Sequence, residues 1–411
     1  MRRLKKTLWT KNFTLVTAAS ALGAVGGIAG GFALSFLVFD ETGSTLASAL
    51  ILAIQLVPFF VLPLFLAPVM DCLPRKPFLV AGDLIDGVLY ALMGLYLLKF
   101  EFSYAAYLGY SLLLACLESF DELAFQSIYP KLIPDGMEQQ GYAVSTTLYP
   151  ILRVLMLPLA GVLLDAVGAA WILIGQGGLS LLAALIESNI DITEHRRESG
   201  EKLFTLRQWR ADIKEAAEYL KNDRGVTGIF SYMAVTNGVS SGYSSSILVA
   251  FFRTFPGFTA AMYSLFSVFE FAGRTLGGAV QYKLKLAKEK KFGFTFLVYQ
   301  IYETMDMCLL WLPYPLMLAN RALVGFLGAN SATMRQAAMQ TYIPEELRAR
   351  LNAFQNMLAT AASGLFALII GALGEVLDYR LCVTICGATA FIAAWLLVWR
   401  RRADVRKIFE K

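Results

Sequence analysis

The stretch of sequence that decides the fold is Phe13–Phe39, FTLVTAASALGAVGGIAGGFALSFLVF. It contains no charged side chain, and its only polar groups are the hydroxyls of Thr and Ser. A helix of this length exceeds the roughly 30 Å hydrocarbon core of a bilayer. The stretch is also too long for the apolar core of a secretory signal, although a basic segment precedes it. We therefore predict that it is retained as a membrane-spanning helix.

The whole chain has the same character. Of its 411 residues, 57% are hydrophobic and 16% are charged, against about 25% charged in soluble domains. This composition predicts an all-α membrane protein. The odd number of cysteines argues against a disulfide framework, and a single histidine, His195, leaves no material for a histidine zinc site or a Ser-His-Asp triad. We accordingly expect no metal, no cofactor and no enzymatic activity.

Apolar windows of about twenty residues, bounded by charges, prolines and glycines, divide the chain into twelve predicted transmembrane helices. They lie near 13–39, 45–70, 78–98, 103–130, 138–164, 169–190, 225–252, 258–283, 292–311, 314–340, 346–374 and 379–399. The predicted organisation is an N-terminal six-helix half (1–190), a cytoplasmic linker (191–224), a C-terminal six-helix half (225–399) and a basic cytoplasmic tail (400–411). Within the linker, Leu206, Trp209, Ile213, Ala217 and Leu220 form one face of an amphipathic helix.

The distribution of basic residues predicts the orientation, because Lys and Arg are retained on the cytoplasmic side. Of the 36 Lys and Arg residues, only Lys99, Arg253 and Arg380 lie in the loops opposite the N-terminus. We predict a multi-pass protein of the cell membrane with both termini cytoplasmic. The basicity follows topology and does not gather on one soluble face, so nucleic acid is not an expected partner.

The two halves also repeat. A shift of 210 residues places Ile133 on Ile343, Pro134 on Pro344, Gly161 on Gly371 and Asp165 on Glu375. Because each half has an even number of helices, both halves have the same orientation and form a parallel repeat.

With these features the chain resembles the major facilitator superfamily, and the resemblance extends over essentially its whole length. Within it, the TGS turn at 42–44, the Leu-Val-Pro run at 56–58 and the Asp71 and Pro74–Lys76 series are similar to the drug-efflux branch that includes macrolide and siderophore exporters. Arg153–Gly161 (RVLMLPLAG) is similar to the antiporter motif of exporters. The resemblance implies a major facilitator fold, and it implies a cytoplasmic gate at Asp71, Arg75 and Lys76.

Ionisable residues within the predicted transmembrane helices are candidate site residues, because each charge there costs on the order of 3 kcal/mol. Glu118, Asp121 and Glu122 share one face of the fourth helix, and Gln126 continues that face. Arg153 in the fifth helix is close enough in the family fold to pair with them. One arginine cannot neutralise three carboxylates, so we expect a proton-coupling or substrate role here, with a structural salt-bridge cluster as the alternative.

The second half supplies further candidates. Glu270 and Arg274 are one turn apart and are expected to pair. Glu303 and Asp306 are expected to point inward to an arginine, as structural pairs. Arg321 in the tenth helix is a substrate candidate, and Arg335, nearer its cytoplasmic end, is a gate candidate.

The predicted function is secondary active transport, because no glycine-rich phosphate loop is present to supply nucleotide energy. We expect proton-coupled efflux of an amphipathic small molecule by alternating access, by a monomer whose partners are its substrate, protons and membrane lipid. The alternatives are an uptake symporter of the same fold and a polytopic membrane sensor that transports nothing.

Overall fold

The computed structural model describes residues 7–72, 74–134, 136–192, 206–283 and 286–410, and in these ranges the chain forms α-helices and no strand. His195 lies outside the described residues. The helices are α1 (Lys11–Thr42), α2 (Thr45–Cys72), α3 (Lys76–Lys99), α4 (Tyr104–Leu132), α5 (Glu138–Val167), α6 (Ala169–Ser188), α7 (Leu206–Asn222), α8 (Arg224–Gly242), α9 (Leu248–Thr254), α10 (Ala260–Lys283), α11 (Lys288–Cys308), α12 (Tyr314–Tyr342), α13 (Glu345–Gly374), α14 (Tyr379–Ala393) and α15 (Arg402–Glu410). A π-helical turn, Tyr243–Ile247, joins α8 to α9, and a second, Ala394–Trp399, extends α14.

The predicted transmembrane helices correspond to α1–α6, the continuous α8–α9 segment and α10–α14. Among the described residues, six helices are long and apolar enough to cross a membrane by composition alone. These are Lys11–Thr42, Lys76–Lys99, Glu138–Val167, Ala169–Ser188, Glu345–Gly374 and Tyr379–Trp399. Several of the others, including α4, α11 and α12, are less apolar because they carry the ionisable side chains of the candidate sites.

The chain forms two compact units whose composition differs from the linear division at residues 190 and 225. Unit 1 comprises Met1–Glu41, Val57–Phe204 and Thr259–Ser264, and unit 2 comprises Thr42–Leu56, Thr205–Phe258 and Leu265–Lys411. Each unit therefore contains the first turns of a helix from the other half of the sequence. Unit 2 contains the start of α2, and unit 1 contains the start of α10.

Two glycines allow these helix starts to pack so closely. A Cβ at Gly371 of α13 would lie 2.5 Å from the Cβ of Ala49, and the Thr45 hydroxyl donates to the Gly371 carbonyl at 2.7 Å. A Cβ at Gly161 of α5 would lie 2.6 Å from the Cα of Ala261. A side chain at either position would force the paired helices apart. The 210-residue repeat had aligned Gly161 with Gly371, and the two perform the same packing role in different units.

Two carboxylates one turn further along complete these contacts, and we call them the carboxylate caps. Glu375 Oε1 accepts from the backbone N–H of Leu46 at 2.9 Å and from the Ser44 hydroxyl at 2.7 Å. Asp165 Oδ2 accepts from the backbone N–H of Ala261 at 3.4 Å. Each acid thus satisfies a free N–H at a helix N-terminus, where the helix dipole also favours negative charge.

The core of unit 1 contains a tight contact between α3 and α6. A Cβ at Gly177 would lie 2.6 Å from the Gly87 carbonyl oxygen, and one at Gly94 would lie 2.6 Å from the Ala170 carbonyl oxygen. The two backbones therefore touch along several turns. This contact brings the acidic residues of α3 and α6 into the same part of the unit.

In unit 2, the linker helix α7 and the terminal helix α15 pack on the membrane helices. Leu220 is buried as its spacing predicts, but Ala216 is buried where Ala217 was expected to be. The reason is that α7 rests on a protein surface that includes Met339 and Leu351. The predicted basic tail is in part helical, and α15 buries Val405, Ile408 and Phe409 in the same cluster.

Candidate functional site

Unit 1 contains a partly open cavity of about 740 Å³, which we call the acidic cavity. Its walls come from α1, α3, α4, α5 and α6. Thr17, Ser20 and Gly23 of α1 face Asp121 and Phe125 of α4 across it. The cavity lies toward the end of the unit that contains the beginning of α1 and the end of α6, the end that the sequence predicts to be cytoplasmic.

Four carboxylates line this cavity: Asp83 of α3, Asp121 and Glu122 of α4, and Glu187 of α6. Asp86 and Glu118 are not part of this lining, and they interact electrostatically with each other and with Tyr90 and Tyr110. The α3 and α4 helices approach closely at Gly82, where a Cβ would lie 3.1 Å from Asp121 Oδ1. Six carboxylates from three helices thus form one cluster, although the described lining of the cavity contains no Lys, Arg or His.

The sequence analysis identified three of these six acids and missed Asp83, Asp86 and Glu187. Asp83 and Asp86 lie within the predicted third helix, and Glu187 lies within the predicted sixth. The criterion that selected Glu118, an ionisable group in a predicted transmembrane helix, would have selected them too. Their clustering with α4 depends on the close packing of α3 and α6, which no local pattern reveals.

The expected pairing of Arg153 with the α4 carboxylates is not present among the described residues. The Arg153 side chain is exposed, and Glu122 instead accepts a hydrogen bond from Gln126 at 2.5 Å. Arg153 lies one turn beyond Tyr149, the last residue of α5 that lines the cavity. In this structure the three acids of α4 are without the arginine that the sequence assigned to them.

Unit 2 contains a smaller polar cavity of about 210 Å³. Here Asp306 of α11 forms a buried ion pair with Arg321 of α12 and accepts a hydrogen bond from the Tyr243 hydroxyl at 3.1 Å. Glu270 and Arg274 pair within α10 at 2.7 Å, with both side chains partly exposed. The charges that line this cavity are therefore largely matched.

The other candidates of unit 2 face tyrosines. Glu303 accepts a hydrogen bond from the Tyr232 hydroxyl at 3.1 Å. Arg335 donates to the Tyr299 hydroxyl at 3.0 Å, and its guanidinium carbon lies 6.0 Å from the centre of that ring. Glu303 was expected to meet an arginine, but Arg321 pairs with Asp306 and Arg335 contacts Tyr299.

The gate residues implied by the family resemblance lie at one end of unit 1. Asp71 belongs to the last turn of α2, and its side chain lies outside the described residues. Arg75 is the residue that precedes α3, and Lys76 Nζ donates to the Ser188 carbonyl at the end of α6 at 2.8 Å.

Described helices that correspond to the twelve predicted spans, with a polar cavity in each unit, are the architecture expected of a membrane transporter. The chain belongs to the Major Facilitator Superfamily, whose sequence model matches residues 13–299 and 305–410. It is therefore a multi-pass membrane protein with two parallel six-helix repeats, and its fold is one that transports small molecules. Comparison with curated protein sequences gives no match.

Solved structures of other transporters have a similar fold. A peptide transporter, POT, in complex with sulfate is similar with a TM-score of 0.72 at 11% identity, over 99% of this chain and 98% of that chain. The nucleoside transporter NupG gives 0.68 at 11% identity, over 94% and 98%. A bacterial homologue of the human lysosomal transporter Spinster, inward-facing and unoccupied, gives 0.65 at 14% identity, over 97% and 94%. At these identities the similarity shows the fold alone.

Proposed function

We propose that this protein is a secondary active transporter that exports an amphipathic small molecule in exchange for protons, by alternating access. The observation that carries the proposal is the acidic cavity, where Asp83, Asp121, Glu122 and Glu187 meet without a basic residue in the described lining. Four ionised carboxylates so close together in a membrane protein repel one another and lack full hydration. Binding of a proton relieves both penalties, so the cluster is suited to load and release protons.

Transport of substrate is coupled to transport of protons because both compete for the same carboxylates of the acidic cavity. Substrate that enters the cavity interacts with carboxylates that must first lose a proton, and the returning empty transporter carries a proton instead. Each proton that crosses a membrane potential of 100 mV releases about 2.3 kcal/mol, which supports roughly 40-fold to 50-fold accumulation of a neutral solute. Asp86 and Glu118 interact electrostatically with Asp121, and Tyr129, Tyr142 and Tyr149 form part of the cavity wall.

We assign the other sequence candidates to supporting roles. Asp71, Arg75, Lys76 and Arg335 belong to the cytoplasmic gate, and the resemblance to drug exporters supports this assignment. The ion pair of Asp306 with Arg321 holds the polar interior of unit 2 together. On this proposal the transporter acts as a monomer in the cell membrane, with both termini cytoplasmic.

The test is reconstitution of the full chain into liposomes that contain a pH-sensitive dye. Compounds from a panel of amphipathic drugs are added with and without an imposed pH gradient. We expect at least one compound to move protons in the direction opposite to its own flux. Movement of both in the same direction would instead identify an uptake symporter. A reconstituted protein that moves no compound and no proton would contradict transport altogether and favour a sensor.

A further inference from the structure

The wall of the acidic cavity combines negative charge with aromatic surface. Phe125 and Tyr129 of α4 lie with ring centres 5.1 Å apart, and Tyr129 and Tyr142 of α5 lie 5.9 Å apart. Tyr149 continues this wall about two helical turns further along α5. Tyr142 and Tyr149 are each about half exposed, so their ring faces are accessible from the cavity. Aromatic faces attract cations and pack against apolar bodies.

A second feature of the cavity is a carboxylate oxygen without a hydrogen bond. The Glu187 side chain lines the cavity although the residue is only 3% exposed, and its Oε2 has no hydrogen-bond partner in the described part of the chain. Asp121 Oδ1, also at the cavity, has none either. The Glu187 carboxyl group is hydrogen-bonded to the Asp83 carboxyl group, and Asp83 and Asp121 also act on it as neighbouring negative charges. A buried acceptor with such neighbours requires a proton or a cationic group beside it.

These observations also decide against other ligand classes. An anionic ligand, such as a phosphate or a carboxylate, would meet four acids and no basic side chain in the described lining. A neutral ligand without a hydrogen-bond donor would leave the Glu187 oxygen without a partner, and a neutral donor would leave the repulsion among the acids in place. The volume of about 740 Å³ is in the range of pockets that hold drug-sized molecules.

We propose that the acidic cavity binds a hydrophobic organic cation, with its positive charge beside Glu187 and Asp121 and its apolar body against the aromatic wall of α4 and α5. The inference rests on the proposed transport function and deepens it, since the same carboxylates would hold either protons or the cationic substrate. It also explains why the structure places no arginine among these acids. The substrate itself supplies the positive charge.

Two probe ions of the same shape and opposite charge test this proposal. Tetraphenylphosphonium and tetraphenylborate are titrated into the full chain purified in detergent, and binding is measured by calorimetry. We expect the cation to bind at least tenfold more tightly than the anion. Glu187→Gln should weaken cation binding at least tenfold, and Glu101→Gln, an exposed acid outside the acidic cavity, should leave it unchanged. Tyr149→Ala should weaken it about fivefold, whereas Tyr149→Phe, which keeps the ring, should retain it.

A second measurement does not depend on removing a carboxylate. Ser145 lines the cavity, so Ser145→Cys in a cysteine-free background reports on its charge. We expect a cationic methanethiosulfonate reagent to label this cysteine at least tenfold faster than an anionic one, and tetraphenylphosphonium to protect it. Equal labelling rates, or equal affinity for the two probe ions, would overturn the cation site.

The outcomes also separate this inference from the proposed function. Binding of tetraphenylphosphonium without proton-driven accumulation in liposomes would sustain the cation site and refute proton-coupled transport. Proton-coupled movement of a neutral compound by a protein that binds neither probe ion would support proton-coupled transport and refute the cation site.

Discussion

Asp306 and Glu187 are both buried carboxylates in membrane helices, but their surroundings differ. Asp306 has Arg321 and the Tyr243 hydroxyl as partners, whereas Glu187 has acids as neighbours and an oxygen that accepts no hydrogen bond in the described part of the chain. A matched buried pair is difficult to disturb without loss of folding. An unmatched acid at a cavity is available for protons and ligands. At the residue scale, therefore, the two units are specialised differently.

The Asp306 pair gives a stability prediction. Arg321→Met should destabilise the protein by about 3–5 kcal/mol, because it leaves a buried carboxylate without a cation. Thermal unfolding of the purified protein measures the effect. The matched control is Arg274→Met, which removes a partly exposed ion pair and should cost less than about 1 kcal/mol. Equal loss of stability in both variants would refute a structural role for the buried pair.

The acidic cavity gives a coupling prediction. Asp121→Asn should abolish proton-driven accumulation of substrate while downhill exchange continues, because an amide neither binds nor releases the proton. Transport into liposomes with and without a pH gradient measures both activities, with Glu101→Gln as the control. If single amide substitutions at Glu118, Asp121 and Glu122 all retain full coupling, no acid of α4 is individually essential. The assignment would then pass to Asp83 and Glu187.

At the scale of elements, the starts of α2 and α10 each belong to a unit formed mainly by the opposite half of the sequence. Glycine makes the close approach possible, and a carboxylate caps the incoming helix. The two repeats therefore share this glycine contact and carboxylate cap as well as the arrangement of their helices.

Removal of both carboxylate caps should loosen these helix starts. Asp165→Ala together with Glu375→Ala should cost about 1 kcal/mol for each lost cap. A cysteine placed at buried Ser48, near the start of α2, should therefore react with a maleimide about tenfold faster in the double variant. The control is Glu41→Gln, an exposed acid close in sequence that caps no helix in the described structure. Unchanged reactivity in the double variant would show that packing alone holds α2.

The Glu375 cap should not respond to pH in the physiological range. Partial burial by itself would raise the pKa of Glu375, but the hydrogen bonds from the Leu46 N–H and the Ser44 and Thr45 hydroxyls outweigh it and lower the pKa below its usual value near 4.3. A carboxyl of lowered pKa contributes stability above the unfolded pKa and loses it as pH falls through the folded value. Labelling at Ser48→Cys, normalised to an exposed cysteine, should be constant from pH 5 to 8. A change within that range would contradict the cap.

At the scale of the whole molecule, the orientation in the membrane remains a prediction from the basic residues. A membrane-impermeant thiol reagent applied to intact cells should label Ser103→Cys, which precedes α4. It should label Glu218→Cys on α7 only after the cells are permeabilised, because α7 follows the predicted cytoplasmic linker. Both cysteines are placed in a cysteine-free background. Labelling of Glu218→Cys in intact cells would reverse the orientation and every assignment that depends on it.

The sequence by itself determined the class, the membrane helices and the parallel repeat of this protein. These properties follow from local composition, since a long apolar run has no stable alternative to a membrane helix, and two such sets of six at one constant offset define the fold. It also located Glu118, Asp121 and Glu122 on one face of α4, because helical periodicity fixes which neighbours share a face.

Only the tertiary structure decided what those acids meet. The contact of Gly87 with Gly177 brings Asp83 and Glu187 to the same cavity, while Arg153 lies beyond the part of α5 that lines it. The pairing of Arg321 with Asp306, and not with Glu303, likewise depends on how α11 and α12 pack. Charge pairing between helices depends on their relative rotation and depth, and these are set by close packing over the whole unit, which no single segment of sequence encodes.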